Sequence, residues 1–397
     1  MTDPARRLVL VVLTGCLMAT AATPALADGP GVGTPTIVSL GDSYISGEAG
    51  RWAGNTNQSS SRTDGLGPTA YYDNASGSGE QIARCHRSKS AEVFVGGGVA
   101  GRNLACSGAR TATFTDSSGY FKPGIDFYSD SSGRVGQARA LQTTAAGANV
   151  KAVLLSIGGN NFNFASIVQS CVTDWLTSPS WLPNYCNDDS SVRANFTAAN
   201  LATQTAAVRG AIQNVAAAMA NAGYAASQWT LVVQTYPSPL PRGSGFRYSQ
   251  SGYTRQNTGG CGFWNRDADW ANDTALPTIN GAVRDAVAQS GLANVRVLDL
   301  QSALNGRRLC ESGVGLLEER GLSTWQSPGA VDQSEWVEQI RTVSTVLGPT
   351  TSRSRCTPTT GGSSPSATAC AAPTTAALSR VARAPGPAPG SPRRASP

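Results

Sequence analysis

A serine hydroxyl becomes a useful nucleophile only when a base takes its proton, and N–H donors facing the developing charge lower the barrier further. Three short segments of this 397-residue chain carry residue types suited to that chemistry. The first is Ser39-Leu40-Gly41-Asp42-Ser43-Tyr44, where an apolar run ends in a glycine-led turn. Such a turn throws Ser43 onto the carboxyl edge of a sheet, the edge at which open α/β sheets bind ligands. It also sets backbone N–H groups and a helix N-terminus beside the hydroxyl. Taken alone, the run also describes an ordinary helix N-cap, because Asp and Ser are favoured there.

The second segment is Ala105-Cys106-Ser107-Gly108-Ala109, in which a glycine after a short strand lets a backbone N–H approach a bound molecule closely. In the third, Ser156-Ile157-Gly158-Gly159-Asn160-Asn161-Phe162, a strand again runs into a turn, and an asparagine amide can donate to an oxyanion. Each segment alone is a turn. Three of them at strand ends on one sheet edge make an argument for a site.

The elements that must position them are legible in the apolar pattern. Thr36–Leu40, Ala152–Ile157, Trp229–Thr235 and Val295–Leu300 are nearly continuous apolar runs, as parallel strands buried on both faces require. Leu201, Val208, Ile212, Val215 and Met219 repeat at helical spacing until Gly223 stops them, and a second helix is expected around Ala275–Ser290. Alternating strands and helices predict right-handed crossovers and a three-layer α/β/α sandwich with a mostly parallel central sheet. Two long loops interrupt it, Arg51–Glu80 and Thr173–Asp189. The second, with Trp175, Trp181 and Tyr185, reads equally as the wall of a groove or as a packing loop tied by cysteines.

Residues 1–27 read as a signal peptide: Arg6 and Arg7, an apolar stretch from Leu8 to Met18, and a small-residue cleavage site at Ala25-Leu26-Ala27. Export is therefore expected, with no stable membrane span, since no later run is long enough. In an exported chain Cys85, Cys106, Cys171, Cys186, Cys261, Cys310, Cys356 and Cys370 read as disulfide cysteines. Sequence order suggests Cys85–Cys106, Cys171–Cys186 and Cys261–Cys310, although order alone does not fix connectivity. With no C-x-x-C pair and a single histidine, a metal site is not expected, nor is an organic cofactor. The net charge of +6 lies partly in the leader and the far C-terminus, without a basic stripe interleaved with aromatics, which argues against nucleic acid as a partner.

Gly41-Asp42-Ser43-Tyr44 with Gly47-Glu48, Ala105-Cys106-Ser107-Gly108 and Gly158-Gly159-Asn160-Asn161 together resemble the first three blocks of the SGNH (GDSL-type) hydrolases. The version is similar to secreted actinobacterial lipases and esterases, the Cys85-His86-Arg87-Ser88 segment included, and the likeness runs from about Val38 to about Ile340. The resemblance implies an ester hydrolase domain over 28–347, acting on a small-molecule, lipid or acylated-glycan ester. It implies Ser43 as nucleophile, and an oxyanion hole made of the Ser43 N–H, the Gly108 N–H and the Asn160 side chain. The third block usually ends in Asp; here Asn161 stands in its place.

The family's last block supplies the base, a histidine within His-Pro-Asn, and this chain has none there. Its one histidine, His86, adjoins Cys85 and reads as structural rather than catalytic. Residues 348–397 are rich in Pro, Ser, Thr, Ala and Arg, the composition of a disordered tail. Read one base earlier from Arg353, however, the genetic code permits E-S-L-H-P-N-Y-W-G-Q-L-A-L-R-N-C without a break. Its histidine falls across the codons of Cys356 and Thr357; cysteine codons end in C or T and threonine codons begin with AC, so that triplet encodes His or Tyr. The expectation is that one base is lost near Pro349, in the gene or its recorded sequence, and that the chain as written is nearly inactive. The rival reading is a genuine tail on a catalytically silent, ligand-binding protein.

Overall fold

The computed structural model describes residues 29–49, 54–63 and 67–340. The leader read over 1–27, the tail read over 348–397 with Cys356 and Cys370, and the expected position of the base near Thr357 all lie outside them.

Five strands form one parallel sheet: β1 (Pro35–Gly41), β2 (Ala100–Asn103), β5 (Asn149–Ser156), β6 (Thr230–Gln234) and β7 (Val295–Leu298), in the order β2-β1-β5-β6-β7. A separate antiparallel pair is made by β3 (Phe114–Thr115) and β4 (Phe121–Lys122). The register sets Val38 beside Val153 and Leu231, and Leu40 beside Leu155 and Val233. All six side chains are fully buried. Helices α2 (Gln137–Ala146), α4 (Ala198–Asn221) and α5 (Leu276–Ala288) pack on that face. Between α2 and α4 in sequence comes α3 (Phe164–Thr177), which belongs to a different part of the core.

The helical repeat read from the sequence accounts for the packing. Val208, Ile212, Val215 and Met219 of α4 are all at 0% exposure, stacked with Ile279 and Val283 of α5 over the sheet. Burying each such aliphatic side chain contributes about 1.5–3 kcal/mol. The other sheet face is only half buried at Ile37, Leu154 and Val232, and Leu298 at the β7 edge is 44% exposed.

From β1 the chain steps one way to β2, then back across β1 to β5, and continues in that direction. The strand order therefore reverses at β1, and the carboxyl ends of β1 and β5 flank the crevice where doubly wound sheets take ligands. The edge strand β2, Ala-Gly-Arg-Asn, carries no apolar run for periodicity to detect. Gly101 lies under Phe94, so close that an added Cβ would meet the ring at 2.7 Å.

A second cluster of buried residues surrounds the disulfides Cys171–Cys186 and Cys261–Cys310; Cys85–Cys106 is the third disulfide among the described residues. The aromatic loop read from Thr173 begins later than expected. Trp175 lies within α3, is 2% exposed and packs against Tyr253 at 5.9 Å and Trp264 at 6.0 Å. Trp181, by contrast, is 80% exposed. Among the described residues no helix is long and apolar enough to cross a membrane.

Candidate functional site

Strand β1 ends at Gly41, which has φ +133°; a Cβ there would lie 2.0 Å from the Ser156 carbonyl oxygen at the end of β5. Only glycine lets the two strand ends close to this distance. Gln137, at the start of α2, holds Gly41 at both of its peptides, accepting from Gly41 N–H at 2.7 Å and donating to the Gly41 carbonyl at 2.9 Å. The chain then turns into the short helix α1 (Ser43–Ser46), capped by Asp42, whose carboxylate accepts from Tyr44 N–H at 3.1 Å. The N-cap reading of Gly-Asp-Ser is thus correct, and it coexists with the placement of Ser43 on the sheet's carboxyl edge.

Ser43 is 5% exposed and lines a narrow cleft. Asp42, Gly159, Asn160, Phe164 and Tyr236 are among the residues lining it. As the first residue of α1, Ser43 has an N–H without an intrahelical acceptor. No described group is hydrogen-bonded to its hydroxyl.

The third segment reaches the cleft through the end of β5. Gly158 has φ +124°, and Gly159 N–H donates to the Tyr236 hydroxyl at 2.9 Å. The Asn160 amide donates to the Ala109 carbonyl at 2.9 Å, which ties the third segment to the second, and Asn160 lines the cleft. Asn161 does not line the cleft. It accepts from Thr111 N–H at 3.1 Å and donates to the Thr111 hydroxyl and to Gln204, so it fastens the loop after Gly108 to α4.

In the second segment Gly108 adopts φ +79°, and no described acceptor takes its N–H. The turn is fixed by the Cys85–Cys106 disulfide, by Ser107 N–H donating to the Cys85 carbonyl at 2.9 Å, and by Ala109 N–H donating to the Cys106 carbonyl at 3.0 Å.

His86 lies elsewhere, pinned between carboxylates. Its Nδ1 is 3.0 Å from Glu48, its Nε2 is 3.7 Å from Glu80, and its ring stacks on Tyr71 at 4.8 Å. It is absent from the lining of the Ser43 cleft.

Sequence reading missed the polar support beneath the cleft. The Tyr236 hydroxyl donates to Asp42 at 2.5 Å, while Tyr236's backbone is held by Asn280 of α5 through bonds of 2.8 and 2.9 Å. Burial pushes the Asp42 carboxyl up to about 7, opposed by the bonds from Tyr236 and Tyr44. Nothing in the spacing of Asp42, Tyr236 and Asn280 signals their meeting, since the contacts cross 194 and 44 positions. The cleft adjoins a second, largely apolar pocket, with Phe164, Leu276 and Ile279 common to both.

No protein-family model and no curated protein matches the chain. Among solved structures it is similar to an extracellular lipase from Streptomyces rimosus, at 18% identity and a TM-score of 0.37, over 75% of this chain and 96% of that one. A phospholipase A1 from Streptomyces albidoflavus gives 18% identity and a TM-score of 0.34, over 76% and 96%. A carbohydrate acetylesterase from Sinorhizobium meliloti gives 11% and 0.26, over 66% and 83%. These likenesses are loose, and the functional reading stands on the chain's own residues.

Proposed function

We propose that this chain carries the site of an exported serine ester hydrolase, with Ser43 as the nucleophile. One observation carries the reading: Ser43 and Asn160, from separate strand ends, line one cleft at the reversal of strand order, and Asn160 is bonded to the residue after Gly108. In the proposed reaction the Ser43 oxygen adds to an ester carbonyl while its proton passes to a base and then to the departing alcohol. The resulting acyl-enzyme is cleaved by water, which returns the proton to Ser43. The Ser43 and Gly108 N–H groups and the Asn160 amide would hold the oxyanion in both steps. A lipid or acylated-glycan ester would set its acyl group against Phe164, Leu276 and Ile279, the apolar residues common to the cleft and its neighbouring pocket.

The base is the histidine of the shifted reading near Thr357. The Ser43 hydroxyl, without a described acceptor, fits a chain whose base is not supplied by residues 29–340. Loss of one member of a catalytic triad leaves roughly 10³–10⁴-fold catalysis over water, so the chain as written should be nearly inactive. The same observation favours a second reading, a silent protein that binds ligand in this cleft. Resequencing the codons for Gly348 to Ala371, then assaying both versions with a short-chain nitrophenyl ester, separates the two. A missing base with turnover in the restored chain, abolished in Ser43→Ala, supports the hydrolase. Saturable binding without turnover in the restored chain supports the silent protein.

A further inference from the structure

Lys122 is a cation that neither the sequence motifs nor the proposed reaction uses, and it is only 7% exposed. It closes the strand β4, and its ammonium reaches two backbone carbonyls, those of Arg84 at 2.8 Å and Ser107 at 2.9 Å. The Ser107 carbonyl and the Gly108 N–H are the two ends of one peptide unit. A cation on the oxygen withdraws electron density through the amide, so the N–H at the other end becomes a stronger donor, and the plane of the peptide is fixed. Lys122 is also close enough to feel the glycine itself: a Cβ on Gly108 would meet the Lys122 Cε at 3.6 Å.

The rest of the peptide's surroundings serve the same end. The Ser107 hydroxyl donates to Glu48, which also holds His86, and Ser107 N–H is bonded to the Cys85 carbonyl. With these neighbours engaged, the Gly108 N–H is the polar group of this turn left without a described acceptor. A buried ammonium is expensive to hold, and burial does lower the Lys122 pKa, while the carboxylates of Asp116, Glu48 and Glu80 oppose that shift. Holding Arg84's carbonyl alone would not require a charge.

We infer that Lys122 is a positioning residue for the oxyanion hole, orienting and polarising the Ser107–Gly108 peptide so that the Gly108 N–H faces the developing negative charge. The inference rests on the ester hydrolase reading and deepens it. Lys122 touches neither substrate nor Ser43 in this role and acts through Gly108 only.

The test compares Lys122→Met, Lys122→Gln and Lys122→Arg with the parent, as full chains in both reading frames of the C-terminus. Deleting an oxyanion donor outright lowers kcat by about 10²–10³. Removing the cation behind one should lower it by about tenfold, with KM nearly unchanged. Affinity for an alkyl boronic acid, which places an anionic oxygen in the hole, should weaken by the same factor. The Gly108 amide proton should move upfield, and Lys122→Arg should recover much of the loss. Lys122→Gln keeps a neutral donor and serves if Lys122→Met fails to fold. Folded variants with unchanged kcat, boronate affinity and Gly108 amide shift would overturn the role. A restored parent that neither turns over ester nor labels at Ser43 with a fluorophosphonate would instead overturn the hydrolase reading and this role with it.

Discussion

The Tyr236 hydroxyl donates to the Asp42 carboxylate at 2.5 Å, joining the segment after β6 to the residue that precedes Ser43. The same hydroxyl accepts the Gly159 N–H at 2.9 Å. One buried phenol thereby ties together two of the three turns that make the cleft.

Tyr236→Phe should therefore loosen the site without enlarging the core. It leaves the Gly159 N–H and one Asp42 oxygen buried and unpaired, a loss of about 1–3 kcal/mol by the usual cost of an unsatisfied group. Urea unfolding of the purified full chain checks this. A change below about 0.5 kcal/mol would mean that water replaces the phenol, as at an ordinary surface site.

Asp42 also makes stability depend on pH. Its folded pKa, pushed up to about 7 by burial, lies above its ordinary value of 3.8, so the fold favours the protonated carboxyl. That contribution is complete below about 3.8 and is lost as pH rises through about 7. Glu92, also pushed up by burial to about 7, and Asp267, to about 6, act in the same sense. The melting temperature should fall between pH 5 and pH 8, and Asp42→Asn should flatten that fall. An identical slope in the variant would assign the pH dependence to other groups.

Glu335 fastens the segment leading to Ile340. Its side chain has no exposure and accepts from Asn55 at 2.6 Å, from Arg247 at 2.5 Å and from the Cys310 N–H at 2.6 Å. Glu335→Ala leaves the Cys310 N–H buried and unpaired, while Arg247 keeps Glu319 at 3.1 Å, and should destabilise by about 1–3 kcal/mol. Breaking the exposed Arg242–Asp273 pair with Arg242→Ala should change stability by less than about 1 kcal/mol, and chemical denaturation of both variants compares them directly. Equal effects would contradict the burial argument.

What the sequence determined by itself is local. Continuous apolar runs marked four of the five sheet strands to within a few residues, and 3.6-residue spacing marked α4, because backbone geometry imposes those periods on whatever must be buried. Glycine-led turns marked the segments that carry Ser43, Gly108 and Asn160, since only glycine tolerates the strand-end approach at Gly41 and glycine favours the φ of +79° at position 108. Cysteine order agreed with the three disulfides because each pair closes a single excursion. The tertiary structure alone decided the rest. The edge strand β2 is held by pairing with β1 rather than by apolar content, and Trp175 is packed against Tyr253 and Trp264 from a distant segment. Tyr236 under Asp42 and Lys122 behind Gly108 are matched across the fold by shape and charge. Such long-range polar partners leave no period or spacing in the chain; only the packing of the strand ends brings them within hydrogen-bonding distance.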